Sequence, residues 1–347
     1  MRHSLLTPNA LGVAALVTFL AGCSGGISQT PALNSASNSF GYAAGPQVMN
    51  MRAVVPNTGH GFMQSIDAQT HLVYMSSWGT ASVVDVLTMD GQQVGQITNG
   101  LVEPEGIFID QNGRLWVANV SGGNVVVYPH GGLSPSKTLT DPVGYPVDVT
   151  VCPNGTAYVA DLYDLNNSNH SSVQVYAPGS TKPTRNLDYA GDFRNPFLTC
   201  DAAGNVFVAT MIGQSVGDGR VIEFPLGKLA GAKDLGIVVQ ASAGIKPDNA
   251  GSLLVTDIIG HTITEYTEDG SPTGQSFSTG TATQGIAVTR GGGVVLGATA
   301  TIDQGPIGIS WSFPAGKQLR VYSCCSRIGP PLQNNYDVAF YPGQPGI

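Results

Sequence analysis

Pairs of short apolar runs, each pair split by a turn, recur along most of this chain. In one copy the run Gly106-Ile-Phe-Ile ends at Asp110, the turn holds Asn112-Gly113, and a second run, Leu115-Trp-Val-Ala, ends at Asn119. The same frame recurs from Val149 to Asp161, Leu198 to Thr210, Ile245 to Asp257 and Ile286 to Ala298, with a weaker copy from Ser65 to Ser76. The marker residues Asp67, Asp110, Cys152, Asp201, Asp248 and Thr289 lie 41 to 49 residues apart. Apolar runs of this length around Asn-Gly or Gly-Gly predict hairpins, because glycine takes a positive φ without a Cβ clash. A third run follows in each unit and ends in an aromatic and a turn glycine, as in Tyr128 with Gly131 and Tyr176 with Gly179. A fourth, more polar run closes the unit, as at residues 136–139 and 184–187. No convincing amphipathic helix of ten or more residues interrupts the series.

Six such units predict an all-β protein, a six-bladed β-propeller of four-stranded blades over residues 61–347. A parallel solenoid would need shorter repeats or helices. The fourth runs carry Lys137, Arg185, Lys233 and Lys317. A propeller exposes that strand as its outer edge, where a cation discourages pairing with another chain. Near the end, Asp337-Val-Ala-Phe-Tyr341 resembles the start of the third unit, Asp148-Val-Thr-Val-Cys152, but no second run follows it. The matching stretch of the first unit, around residues 64–66, is poorly apolar. The C-terminal strand is therefore expected to supply or reinforce the inner strand of the first blade.

The N-terminus has a different pattern. Arg2 precedes an apolar run from Leu11 to Ala21, half the length of a membrane-spanning helix, and the run exits through Leu20-Ala21-Gly22-Cys23. That is the layout of a secretory signal peptide. The exit resembles the lipobox of bacterial lipoproteins, which implies a signal peptide over residues 1–22 and a lipid on Cys23. Several acyl chains anchor stably where one is marginal. Residues 23–60 are rich in Ser, Gly, Ala, Asn and Pro and read as a flexible tether. The implied location is the bacterial cell envelope, lipid-anchored at the outer membrane or cell surface, with a periplasm-facing position as the alternative.

Composition narrows the partners. Charged residues make up 11%, and the net charge is −8. An acidic chain lacks the basic footprint that nucleic acid demands. Four of the five cysteines remain after Cys23: Cys152, Cys200, Cys324 and Cys325. An even number in an exported chain admits disulfides, but Cys152 and Cys200 fall on packed first strands, where buried thiols are the simpler expectation. No zinc-type spacing, phosphate loop or Gly-x-Ser-x-Gly elbow occurs.

The frame from Glu105 to Asn119, continued by Asn124-Val-Val-Val-Tyr128, resembles NHL-type repeats, and the resemblance extends over roughly residues 62 to 343. It speaks for the fold and leaves function open, since such rings serve as scaffolds and as enzymes. Gluconolactonase-like and streptogramin-lyase-like propellers share the architecture. The first hold a divalent cation through Glu, Asn and Asp, and the second use His and Glu with magnesium. The corresponding candidates here are Asn119, Asp161 and Asp257, which end second runs, and Glu105, just before a first run; together they would form a polar ring at a channel mouth. Oxygen ligands of this kind suit Ca2+ or Mg2+. Asn and Asp also start turns after strands, and the sequence favours that structural role. No second run ends in His, and no catalytic set is recognisable. The expected function is a membrane-anchored extracytoplasmic scaffold that binds a protein, peptide or glycan on one propeller face. The alternative is a metal-dependent lactonase or lyase. Insertions after the second runs of the third and fourth units, at residues 162–171 and 212–219, mark the expected binding face.

Overall fold

The computed structural model describes residues 61–65, 71–77, 82–142, 144–164, 171–189, 194–212, 216–248, 250–289, 291–299, 307–323 and 335–341. The expected signal peptide, Cys23, the tether, Cys324 and Cys325 lie outside them, as does part of each insertion.

The sheets match the repeat frame. Blade 1 contains β1 (Phe62–Met63), β2 (Leu72–Ser77), β3 (Val83–Thr88) and β4 (Gln93–Ile97). Blade 2 is β5 (Pro104–Ile109), β6 (Leu115–Asn119), β7 (Asn124–Tyr128) and β8 (Lys137–Thr140). Blade 3 is β9 (Gly144–Val151), β10 (Ala157–Asp164), β11 (Val173–Tyr176) and β12 (Arg185–Leu187). Blade 4 is β13 (Arg194–Cys200), β14 (Val206–Met211), β15 (Gly219–Phe224) and β16 (Lys233–Val239). Blade 5 is β17 (Ser242–Pro247), β18 (Leu253–Asp257), β19 (Thr262–Tyr266) and β20 (Pro272–Ser278). Blade 6 is β21 (Thr283–Val288), β22 (Val294–Thr299), β23 (Ile307–Ser312) and β24 (Gln318–Ser323). The last strand, β25 (Asn335–Tyr341), returns to blade 1. The protein is thus a six-bladed, all-β propeller.

Closure follows the expectation and adds to it. β25 pairs antiparallel with β2, with Val73 opposite Phe340 and Met75 opposite Val338, and so forms the inner strand of blade 1. The N-terminal segment does not share that position. β1 pairs with β4 at the outer edge, Phe62 opposite Gln96, and makes blade 1 five-stranded. The apolar β25 out-competes the polar 64–66 stretch for the inner place, because that place is buried on both faces.

The core lies between blades. Ile107, Val149, Leu198, Ile245, Ile286 and Val338 occupy one repeat position on the six inner strands, and all are fully buried. Marker aspartates tie the hairpins below them. Asp110 accepts the N–H groups of Asn112 and Arg114, the Arg114 side chain at 2.7 Å and the Trp116 indole N–H at 2.9 Å. The Arg114 and Lys137 cations both face the Trp116 ring.

Cys152 and Cys200 correct the expectation of free thiols. They form a disulfide between β9 and β13 with Cα atoms 5.5 Å apart. Neighbouring inner strands converge on the axis closely enough for bonding geometry, which the frame alone did not reveal.

Candidate functional site

Each inner strand is bulged at the same level. Against its second strand it gains one residue between Pro104 and Ile107, Pro146 and Asp148, Arg194 and Phe197, Ser242 and Ile245, Thr283 and Ile286, and Asn335 and Val338. A bulge re-aims side chains and leaves a residue unpaired. Six at one level make a ring of re-aimed groups around the axis. In ring order from blade 1, the residue just before the buried apolar position is Asp337, Gly106, Asp148, Phe197, Gly244 and Gly285.

The two aspartates serve the free inner edges. Asp148 accepts its neighbour's N–H, Val149, and that of Leu198 on the next blade, both at 2.8 Å. Asp337 accepts the Ile107 N–H of the next blade, also at 2.8 Å. Inner edges have no further strand to pair with, so their amides need such acceptors. Glycine on the preceding blade makes the room. A Cβ on Gly106 would lie 2.5 Å from the Asp148 Cα, and one on Gly285 would lie 2.7 Å from the Asp337 Cα.

Lys246 of blade 5 completes an alternating set with Asp337 of blade 1 and Asp148 of blade 3. The exposures are 2%, 1% and 1%. Burial pushes the Asp148 carboxyl up, while Lys246 and the Leu198 and Val149 amides pull it down. Burial also pushes Asp337 up to about 7, with Lys246 opposing and Asp148 reinforcing the rise. Half-buried Glu105, beside this level, is pushed up to about 8 by burial, then by Glu103 and Asp148. Among the described residues, five buried side-chain oxygens on the inner strands have no hydrogen-bond partner: Asp337 Oδ1, Gln284 Oε1, Ser242 Oγ, Thr150 Oγ1 and Thr199 Oγ1. Buried polar atoms normally find partners, so the inner strands carry unmet hydrogen-bonding capacity.

Of the four residues expected at a channel mouth, only Glu105 belongs to this level. The other three clamp the connection that enters their own blade. Asn119 donates to Gly100 O and Asn124 Oδ1, both at 3.0 Å, and accepts the Val102 N–H. Asp257 accepts N–H groups from Gln240, Ala241, Ile259 and Gly260. Asp161 accepts the Ser172 hydroxyl at 3.2 Å and faces Asp141, whose Oδ1 takes the Gly144 N–H. Burial and the Asp141 carboxyl push Asp161 up to about 9, so the pair shares a proton at neutral pH. Asn119 and Asp257 are thus held by local amides and carbonyls, and Asp161 by the Ser172 hydroxyl and the Asp141 carboxyl, each at the entry to its own blade. Among the described residues, no three His, Cys, Asp or Glu side chains form a metal-sized group.

The end of the ring where inner strands begin, the upper face, differs from the lower one. Val102, Val216 and Ile259 lie there in the connections of blades 2, 4 and 5, and Tyr145 near the start of β9, with exposures of 48%, 66%, 48% and 41%. Three non-glycine residues with left-handed backbones lie on the same face: Ser82 at φ 45°, Glu103 at φ 56° and His261 at φ 52°. Such conformations cost energy and cluster at functional sites. Ser82 and Glu103 touch, the Glu103 N–H donating to Ser82 Oγ at 3.1 Å.

The comparisons with known proteins agree with this architecture. No protein-family model and no curated protein matches the sequence. Among solved structures, a chain of a nidogen/laminin complex is similar, with a TM-score of 0.61 and 11% identity over 78% of this chain and 98% of that one. A protein of unknown function from Bacteroides caccae gives a TM-score of 0.58 at 11% identity, with the same coverage. The WD40 β-propeller domain of Doa1 gives 0.51 at 14% identity, over 76% of this chain and 87% of that one. At these identities the likeness shows the fold alone.

Proposed function

We propose that this chain is an NHL-type propeller scaffold, held to the bacterial envelope by lipid on Cys23, that binds a protein partner on its upper face. The observation that carries this reading is the exposure of Val102, Tyr145, Val216 and Ile259 on that one face. Large apolar side chains left exposed in neighbouring blades of one face suit an interaction surface. The strained Ser82, Glu103 and His261 backbones beside them support the same face, and a structural neighbour comes from a nidogen/laminin complex. The test is capture from envelope extract on the chain from Ser24 onward. Val216→Asp with Ile259→Asp should abolish capture of the partner, and the lower-face pair Leu226→Asp with Leu229→Asp should leave it intact. Equal capture by all three proteins refutes the reading. The anchor is tested separately: Cys23→Ala should move the protein into the soluble fraction, and continued membrane association refutes lipidation.

A further inference from the structure

We infer that the lower rim of blade 4 ends in an apolar knob, Leu226 and Leu229, that inserts into the lipid surface to which Cys23 holds the chain. The inference rests on the proposed anchor and leaves the upper face to the partner.

Three observations define the knob. First, both leucines stand out from the β15–β16 connection, with exposures of 56% and 51%. The residues at the same frame positions are His130 and Leu133 in blade 2, and Pro178 and Thr181 in blade 3. Leu133 is partly buried against the core, so an apolar residue in this connection is able to turn inward. Second, Leu226 has a left-handed backbone at φ 51°. Glycine or asparagine adopts that conformation at lower cost. The exposed leucine recovers none of the cost by packing, and strain of this kind gathers at functional positions. Third, the turn is held in place. The Leu226 N–H donates to Asn205 Oδ1 at 3.0 Å. The Lys228 N–H donates to Pro225 O and the Ala232 N–H to Leu229 O, both at 3.0 Å. A Cβ on Gly227 would collide with the Tyr158 hydroxyl, so the turn sits against blade 3. Side chains ordered beforehand lose little freedom when they bind.

A bilayer suits this knob where a protein does not. A stable protein interface covers about 800 Å² on each partner. Two half-exposed leucines supply a small part of that area. Beside them Ala202, Ala203, Lys228 and Ala230 are exposed, and none of these is a large apolar group. A bilayer requires no matching shape, only apolar atoms at its boundary. Lys228, between the leucines, is able to lay its stem along lipid and keep its ammonium among headgroups. The net charge of −8 gives no general pull toward anionic lipid, so the insertion is apolar in character. The bilayer is also within reach. Gly61 lies beside Thr98 at the rim of blade 1, and residues 24–60 join it to Cys23. That many residues span at most about 120–130 Å, well beyond the ~20 Å length of a strand. Two leucines bury fewer methylenes than one myristoyl chain, which is marginal by itself. The knob therefore orients an anchored chain, helped by the roughly millimolar effective concentration that a tether provides. The Cys23→Ala chain should still wash off the membrane. With the knob in lipid, the upper face looks away from the bilayer.

The test places the full lipidated chain in vesicles of phosphatidylcholine brominated in its acyl chains. Bromine quenches tryptophan only on contact. Leu229→Trp should lose about half or more of its added fluorescence, as a ring sunk ~5–10 Å into the headgroup boundary does. Val102→Trp on the upper face should lose none. Adding phosphatidylglycerol or salt should leave both results unchanged. Combining Leu226→Asp with Leu229→Trp should abolish the quenching, while the chain stays with the vesicles through its lipid. Unchanged melting temperatures show that the variants are folded. Quenching at Val102→Trp instead, at neither position, or undiminished by Leu226→Asp overturns the inference. Other outcomes separate it from the scaffold reading. Quenching at Leu229→Trp with no partner captured keeps the knob and refutes the scaffold. A captured partner without quenching keeps the scaffold and refutes the knob. If Cys23 bears no lipid, the anchor alone is refuted, and Leu229→Trp quenching with excess vesicles decides the knob.

Discussion

The Asp148 carboxylate on the inner strand of blade 3 accepts the Leu198 N–H of blade 4 at 2.8 Å. The same two strands, β9 and β13, are joined again by the Cys152–Cys200 disulfide. Blades 3 and 4 are therefore tied twice, once by a charge-assisted hydrogen bond and once covalently.

The covalent tie closes a sequence separation of 48 residues. By chain entropy alone, a loop of that length is worth about 4 kcal/mol. Cys152→Ser with Cys200→Ser should lower the urea midpoint strongly with little change in slope, and dithiothreitol should do the same to the parent protein. A reductant-insensitive midpoint would show that the bond contributes nothing.

Closure should be the most sensitive point of the fold. Removing residues 335–347 strips β2 of its inner partner and leaves the Ile107 N–H without the Asp337 acceptor. The truncated chain should not melt cooperatively in calorimetry. A subtler variant, Gly285→Ala, drives a methyl into the Asp337 backbone and should cost about 1–3 kcal/mol, as overpacking does. A truncated chain with the parent melting temperature would place the ring's stability elsewhere.

The Asp141–Asp161 pair makes stability depend on pH with a defined sign. Asp161 titrates at about 9 in the folded protein, against an ordinary value of 3.8. The folded state therefore holds a proton that the unfolded chain has released. Its contribution is complete below about pH 4 and declines as pH rises toward 9. Asp161→Asn imitates the protonated form with an amide donor. The melting-temperature advantage of this variant over the parent should grow from about pH 5 to about pH 9. A constant difference would mean that the pair does not share a proton.

Asp110 should matter more than its turn position suggests. Its carboxylate holds the turn amides, the Arg114 guanidinium and the Trp116 indole N–H together. Asp110→Ala leaves a buried indole donor unsatisfied and should cost about 2–4 kcal/mol. Denaturant unfolding followed by tryptophan fluorescence measures the loss; a change within error would assign the turn to glycine geometry alone.

The ring itself was legible because a repeat states its architecture several times over, and turn glycines such as Gly113, Gly155, Gly204, Gly251 and Gly292 mark the hairpins of five units. The closing strand was legible too, since Asp337-Val-Ala-Phe copies Asp148-Val-Thr-Val. The axial site was not read, although its signal stood in that same comparison. Aspartate in the middle of an otherwise apolar inner strand has no reason to be there unless the strand edge needs an acceptor. What hid the meaning is the bulge. A one-residue gain changes the direction of a side chain, and no local composition announces it. Asn119, Asp161 and Asp257 stand out more in the sequence, and their shared frame position reflects the end of the second strand, where they hold local loops. The disulfide was hidden for a related reason, because adjacency of Cys152 and Cys200 is a property of the ring's radius.

The ring's last strand in chain order is also the one that completes the first blade. A growing chain can build blades 2 to 6 one after another, each from consecutive residues. Blade 1 must wait, its β2 edge bare, until residue 341 has emerged. Any interruption before that point releases a ring with one open seam and an apolar strand exposed along it. The order of the strands thus makes closure of the ring wait on its final strand, a dependence that a propeller closed within its own first blade would lack.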